Sequence, residues 1–326
     1  MRISVILCTY NGEHYLFEQL ESIAAQTRLP DELIICDDGS TDRTRSILDV
    51  FAAQAAFPVL VYYNTRNLGS TRNFEQALRL VNGDIIAFAD QDDYWYQHKL
   101  AVLESAMRQS PRAGFVFSDA DVVDSERRPL EVRLWQSVRF SASEQEQAAR
   151  GEFANVLLRH PVVTGATMAF RTQWRDLFLP IPENWIHDAW ISFWITLMAD
   201  VIVIPEPLMQ YRQHTLNQIG ISGRTRLDRM RVALKTDPQI YQLLYERYSV
   251  LLERLEQSPH IAHDILPAVR TKLQHLNARR NMPRNRVARF PVILRELFSG
   301  HYKHYSGSAL NAIRDLLLTH DARTPP

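Results

Sequence analysis

The chain has 326 residues, 46% of them hydrophobic, and its 37 Lys and Arg balance 37 Asp and Glu to a formal net charge of zero. That is ample material for one large domain plus an appendage. A disulfide-held scaffold is excluded, because the only two cysteines, Cys8 and Cys36, lie inside apolar runs and read as small core side chains.

Ile3 to Cys8 is an unbroken apolar run ending in Thr9-Tyr10-Asn11-Gly12, the pattern of a buried parallel strand that stops in a polar turn. Tyr15, Leu16, Leu20 and Ile23 then keep helical spacing. Glu32 to Cys36 repeats the arrangement and ends in Asp37-Asp38-Gly39-Ser40-Thr41-Asp42, with Ser40 or Thr41 placed to cap the helix marked by Ile47, Leu48, Val50 and Phe51. A third strand, Val59 to Tyr63, leads through Asn64 to Asn73 into another helix, and Ile85 to Ala89 is the fourth. Strands alternating with helices of this length predict a doubly wound, mostly parallel α/β sheet whose βα turns share one rim. In such sheets ligands bind at that rim.

The fourth strand empties into Asp90-Gln91-Asp92-Asp93, three carboxylates within four positions. Like charges this close are costly unless a cation neutralises them, so the stretch reads as a metal site in this neighbourhood; alone, an Asp-x-Asp would more often be a solvated turn. Gly114 to Ser118 is a fifth strand ending at Asp119 and Asp121, and Ser125 to Gly151 reads as a surface loop plus a helix. Val163 to Phe170 is apolar but broken by Gly165-Ala166-Thr167, where a glycine marks either close approach of a ligand or simple packing. Trp185-Ile186-His187-Asp188-Ala189-Trp190 enters a helix over 191–198, which makes Asp188 an N-terminal carboxylate favoured by the helix dipole. After a strand at Val201 to Ile204 comes Tyr211-Arg212-Gln213-His214, continuing to Gln218. Arg212 and His214 side by side suit a diphosphate with its metal. Beyond Gly223 the pattern is helical, and Tyr241, Leu244, Tyr245, Tyr248, Leu251, Leu252 and Leu255 form a packing stripe.

Taken together, Thr9-Tyr10-Asn11-Gly12, Asp37-Asp38-Gly39-Ser40-Thr41-Asp42, Asn67-Leu68-Gly69 with Arg72-Asn73, and Asp90-Gln91-Asp92-Asp93 resemble the family 2 glycosyltransferases over about the first 215 residues. Asp-Gln-Asp-Asp-x-Trp, His-Asp-x-Trp and Tyr-Arg-Gln-His are similar to the rhamnosyltransferase-like bacterial branch. The resemblance implies a GT-A fold and inverting transfer of a sugar, L-rhamnose from dTDP-rhamnose, to a saccharide or lipid-linked acceptor in surface polysaccharide synthesis. It implies that Thr9, Tyr10, Asn11, Asp37 or Asp38, Asn67 and Arg72, with Asp90, Gln91 and Arg212, hold the nucleotide sugar. Asp90, Asp92 and His214 would hold Mn²⁺ or Mg²⁺, with the choice between His214 and Arg212 as the metal or diphosphate contact left open. Asp93, Trp95, Gly165, Ala166, His187 and Trp190 would line the acceptor or sugar pocket, and Asp188 would be the general base. Two other readings stand beside this one: another sugar, galactose, glucose or N-acetylglucosamine, from a UDP donor, and a binding or scaffold protein without turnover.

The expected division is a catalytic domain over 1–220 and a helical, basic extension over 221–326. From Arg270 to Arg314 ten Lys or Arg face one acid, Glu296. That stretch suits either peripheral contact with anionic headgroups, through Phe290, Ile293, Leu297 and Phe298, or a solvated face. Pro283 and Pro291 are expected to break it into short helices. No apolar run approaches a membrane span, no secretory signal is seen, and nothing resembles a nucleic-acid module. A cytoplasmic enzyme at the inner face of the membrane is expected, with its oligomeric state open.

Overall fold

The computed structural model describes residues 1–214, 239–262 and 264–318, so Thr215 to Gln218 and Gly223 lie outside the described residues. The chain forms two compact units, Met1–Phe153 with Val162–Ser222, and Ala154–Pro161 with Gly223–Pro326. Residues 154–161 thus belong with the second unit although they interrupt the first in sequence.

In the first unit, β1 (Ile3–Thr9), β2 (Glu32–Asp37), β3 (Val59–Tyr63) and β4 (Ile85–Asp90) alternate with α1 (Leu16–Ala24), α2 (Thr44–Gln54) and α3 (Ser70–Leu78). β5 (Tyr94–Trp95), α4 (Lys99–Gln109) and β6 (Ala113–Val123) follow. Next come β7 (Pro129–Arg133), α5 (Leu134–Val138) and α6 (Ala142–Ala149), then α7 (Phe153–Arg159), which belongs to the second unit from Ala154 onward. A 3₁₀ turn at Gly165–Thr167 enters β8 (Met168–Arg171), then α8 (Arg175–Phe178), α9 (His187–Thr196) and β9 (Asp200–Arg212). The sheet runs β3-β2-β1-β4-β8-β6-β9-β5, with β7 on β6. β3, β2, β1 and β4 are parallel, whereas β8 is antiparallel to both β4 and β6.

β1, β2 and β4 read as continuous apolar runs because both of their faces are covered: Val5, Leu7, Leu33, Ile35, Ala87 and Ala89 are buried in one core cluster, and Ile6, Ile34 and Phe88 are buried as well. Burying side chains of this size stabilises by roughly 1.5–3 kcal/mol each. α1 adds Leu16, Leu20 and Ile23, and α2 adds Leu48 and Phe51. Register then places the site: Thr9 pairs with Asp37, and Cys8 with Asp90, so three strand ends meet at one level.

Four local expectations change. Ser40 and Thr41 do not cap α2, which starts at Thr44; Asp42 Oδ1 accepts from the Thr44 N–H at 3.0 Å instead, and Ser40 turns to Asp37. β6 runs on past Ser118 through Asp119 and Asp121, because β7 and β9 pair with that half. β9 likewise extends from Asp200 to Arg212, crossing Pro205 and Pro207 with register shifts. α9 starts at His187, so Asp188 sits in its first turn.

The second unit holds α10 (Gln239–Glu256), α11 (Pro259–Ala262), α12 (Leu266–Arg280), α13 (Arg286–Phe298), α14 (His301–Tyr305) and α15 (Leu310–Leu317). Tyr241, Tyr248, Leu251 and Leu255 of the stripe on α10 are buried, as a packing surface requires. Pro283 separates α12 from α13, but Pro291 lies inside α13 without ending it, being exposed and only one turn from its start. The interior is unusually polar. Arg279 Nε donates to Asp315 Oδ2 at 2.7 Å, and the hydroxyls of Tyr241 and Tyr302 donate to the same carboxylate at 2.6 and 2.7 Å. Arg289 Nη1 donates to the carbonyls of Asp315 and Leu318, both at 2.8 Å. His275 Nδ1 and His301 Nδ1 each lie 2.8 Å from Glu296 Oε2.

That network carries a pH dependence. Burial above all holds His275 below the usual 6.5, at about 4, against the pull of Glu296. The unfolded imidazole therefore takes its proton first, so stability is intact above about pH 6.5 and drains away as pH falls toward 4. Burial raises Glu296, but hydrogen bonds from His275 and His301 outweigh it and hold the carboxyl at about 2 against the usual 4.5. Its contribution is lost as pH falls below that usual value, with the same sign. The melting temperature of the full chain is expected to fall between pH 6.5 and 4, and His275→Gln to flatten that fall. An equally steep fall in the variant would overturn the assignment.

Candidate active site

All the site residues belong to the first unit. At the rim, Asp37 at the end of β2 is wholly buried and accepts from Thr9 Oγ1 at 3.1 Å, Ser40 N at 3.1 Å, Arg45 Nε at 3.1 Å and Ser40 Oγ. A carboxylate offers about four acceptor positions, so Asp37 is saturated. Asp38 accepts from Asn64 Nδ2 at 2.9 Å, Leu68 N at 2.8 Å and Gly69 N at 2.8 Å, which leaves one acceptor position on Oδ2. Of the two, Asp38 alone keeps capacity for a base N–H. Asp37 and Thr9 are hydrogen-bonded to each other and hold the turn.

The first turn is held by side chains from neighbouring strands. Gln91 Oε1 accepts from Tyr10 N at 2.9 Å and Gln91 Nε2 donates to Tyr10 O at 3.1 Å, so Gln91 clamps backbone and leaves the Tyr10 ring 46% exposed. A Cβ on Gly12 would fall 2.4 Å from Gln91 Oε1, which is why glycine sits there. Asn11 has φ 47° and its Oδ1 accepts from Thr41 N at 2.9 Å. Asn67 is exposed and its Oδ1 accepts from Gly69 N at 3.0 Å. Arg72 pairs with Glu75 and Glu183, each at 3.1 Å.

The carboxylates converge below. Burial first, then the charges of Asp92 and Asp188, push Asp90 up to about 7, with Lys99 opposing. Asp93 is raised well above the usual range by burial and by Asp92 and Asp90. Its Oδ1 accepts from Arg212 N at 3.1 Å, and its buried Oδ2 has no hydrogen-bond partner among the described residues. His214 Nε2 lies 2.8 Å from Asp92 Oδ2, with the ring 4.7 Å from that of Tyr15. Two hard oxygens and an imidazole nitrogen are a donor set that fits Mn²⁺ or Mg²⁺. Asp90, Asp92 and His214 are not all within 4.8 Å of one another; among the described residues only His275, Glu296 and His301 are.

Asp188 Oδ2 accepts from Gly165 N at 2.9 Å and Oδ1 from Ala189 N at 2.6 Å. Gly165 allows this approach, since a Cβ there would lie 3.1 Å from His187 Nε2. His187 is buried against Phe74, ring centres 3.9 Å apart, and burial lowers its pKa. Three of the expected pocket residues are core instead: Trp95, Ala166 and Trp190 are fully buried, and Trp190 Nε1 donates to Phe178 O at 2.7 Å. Arg212 is also withdrawn. Its side chain is 2% exposed and donates to Asp92 O, Ser125 O and Glu18 Oε2, each at 2.7 Å, while the guanidinium stacks on Tyr15. It is a clasp across the acidic turn through the Asp92 carbonyl, whereas His214 lies against the Asp92 carboxylate.

Two residues were missed. Lys99 is fully buried, donates to Ala166 O at 2.5 Å, and lies 4.0 Å from the centre of the Trp95 ring. Burial pulls it down to about 7, against Asp93 and Asp90. The Tyr211 hydroxyl is pushed up by burial and by the charges of Asp93, Asp90, Asp92 and Asp188. Lys99 takes its carbonyl partner, Ala166 O, from a turn 67 positions away, which local pattern does not reveal.

The model of the family described as Glycosyl transferase family 2 matches residues 4–178. The dTDP-rhamnosyl transferase RfbG of Shigella flexneri is 27% identical, covering 66% of this chain and 73% of its own. The first curated relatives are matched over only 59–66% of their length. Among solved structures, S. aureus TarS 1–349 in complex with UDP-GlcNAc has a TM-score of 0.57 at 18% identity, covering 97% of this chain and 80% of that one. The mannosyltransferase PcManGT from Pyrobaculum calidifontis, in complex with GDP-Man and Mn2+, has a TM-score of 0.54 at 16% identity, covering 96% and 85%. At these identities the structural likeness shows the fold, which is GT-A.

Proposed function

This chain belongs to glycosyl transferase family 2, and on that premise we propose that it is an inverting, metal-dependent glycosyltransferase of bacterial surface polysaccharide synthesis. The observation that carries the reading is that the start of α9 packs on β4, with the His187 ring 5.4 Å from that of Phe88, so Asp188, the candidate base, lies near the end of the strand that carries Asp90, the candidate metal ligand. In a single displacement the acceptor hydroxyl oxygen attacks the anomeric carbon, the bond from that carbon to the diphosphate oxygen breaks, and Asp188 takes the hydroxyl proton. Gly165 N and Ala189 N hold that carboxylate in place. A divalent ion held by Asp90, Asp92 and His214 would supply charge stabilisation to the departing diphosphate. Asp38, Tyr10, Asn67 and Arg72 would take the nucleotide, and His187 would support the sugar side from beneath.

For the donor we propose dTDP-rhamnose, which RfbG supports by its name and likeness. Asp38 can accept from the ring N–H of thymine or uracil alike. The acceptor is a saccharide or lipid-linked chain, met at the inner face of the membrane through the basic region 270–314. No helix among the described residues is long and apolar enough to cross a membrane. Incubation with a panel of nucleotide sugars and Mn²⁺ should release nucleoside diphosphate, and dTDP should compete at least as well as UDP. Preference for UDP would replace rhamnose with galactose, glucose or N-acetylglucosamine, and binding without hydrolysis would make the protein a non-catalytic scaffold.

A further inference from the structure

The polarity of α13 is inverted. Its buried side includes Arg289 and Glu296, while Val287, Phe290, Leu294 and Phe298 are 74%, 48%, 44% and 88% exposed. These four fall at i, i+3, i+7 and i+11, one stripe of a helix. On α15, which packs against α13, Leu310, Ile313 and Leu317 repeat the pattern at i, i+3 and i+7 and are 63%, 53% and 41% exposed. Scattered apolar side chains on a surface are ordinary, but an exposed apolar stripe on each of two helices that pack against each other suits an interaction surface.

The charges select the partner. Of the ten cations between 270 and 314, Lys272, Arg279 and Arg289 are buried in the polar interior, so they are not available to an external anion. Arg284, Arg286, Arg295 and Lys303 remain exposed around the stripes. The only two acids from 281 to 318, Glu296 and Asp315, are both buried. The exposed surface of this segment therefore combines apolar and cationic side chains without an anion. A second copy docking through it would bring like charges together. An anionic bilayer satisfies both components, with acyl chains for the stripes and headgroups for the cations.

We infer that α13 and α15 form a monotopic docking face that seats their apolar stripes in the interface of an anionic phospholipid bilayer. The inference rests on the reading of membrane contact above and narrows it to these two helices. It also corrects the earlier expectation for Ile293 and Leu297, which pack in the core of this unit and are not available for insertion.

The test is flotation of the full chain with phosphatidylcholine vesicles and with vesicles containing phosphatidylglycerol, at low and high salt. The wild type is expected to bind the anionic vesicles and to keep part of that binding in high salt. Phe290→Ser with Phe298→Ser, at exposed positions, should weaken binding at least about tenfold while leaving the melting temperature and donor hydrolysis unchanged. Arg284→Gln with Arg286→Gln should weaken binding at low salt only. Wild-type failure to float in any condition, or undiminished binding by the Phe double variant, would overturn the inference, as would light scattering that shows a dimer lost in that variant. Donor hydrolysis by the wild type is read separately, so failure of sugar transfer and failure of docking are distinct results.

Discussion

Replacing Asp188 by Asn is expected to leave donor binding in place and to slow turnover by about a hundredfold or more, the usual scale for loss of general-base catalysis. The amide matches the carboxylate in shape but offers no basic oxygen to the acceptor proton. The geometry adds a control. Asp188 accepts one N–H on each oxygen, from Gly165 and from Ala189, and an amide can accept at only one of them. The variant should therefore also melt somewhat lower, because one backbone N–H loses its partner. Binding of nucleoside diphosphate, measured by calorimetry, separates the two effects. Lost affinity with turnover intact would show that Asp188 binds rather than catalyses. Asp119, whose Oδ1 accepts from Ala120 N and Trp135 N, and Asp121, which accepts from the Tyr96 hydroxyl, would then be the next candidates.

Removing the metal is expected to have a comparable or larger effect. Chelation should abolish transfer, with Mn²⁺ or Mg²⁺ restoring it, and Asp92→Ala should lower turnover by roughly a thousandfold, since charge stabilisation of this kind is worth several kcal/mol. His214→Ala should act in the same direction and fail to add to Asp92→Ala, because the two side chains are 2.8 Å apart and act as one unit. Titration of Mn²⁺ in the presence of nucleoside diphosphate reads the site without turnover, and each variant should weaken it. Full activity of Asp92→Ala in excess chelator would sink the assignment.

Much of the first unit was legible from local pattern. A strand buried on both faces must be apolar throughout, and a parallel neighbour requires a crossover helix, so Ile3–Thr9, Glu32–Asp37 and Ile85–Asp90 could be read with their turns on one rim. The acidic turn after β4 and the entry of α9 at Asp188 were visible for the same reason: each is marked within a few residues.

What sequence could not reveal was which polar group is engaged by the protein itself. Asp37 and Asp38 are neighbours of one type, yet only register and the folded loop at 67–69 leave an acceptor position on one and fill the other. Arg212 looked like a diphosphate ligand until the fold carried it to the Asp92 carbonyl, 120 positions earlier, and to Glu18. The basic run of the second unit was likewise divided by packing, with Lys272, Arg279 and Arg289 turned inward and Phe298 turned out. Sequence by itself determined the alternating α/β plan and the carboxylates at its rim, because burial on both faces of a strand and charge crowding act over a few residues. Tertiary structure alone decided which of those charges remain open to a ligand, because the partners that saturate them arrive from distant parts of the chain.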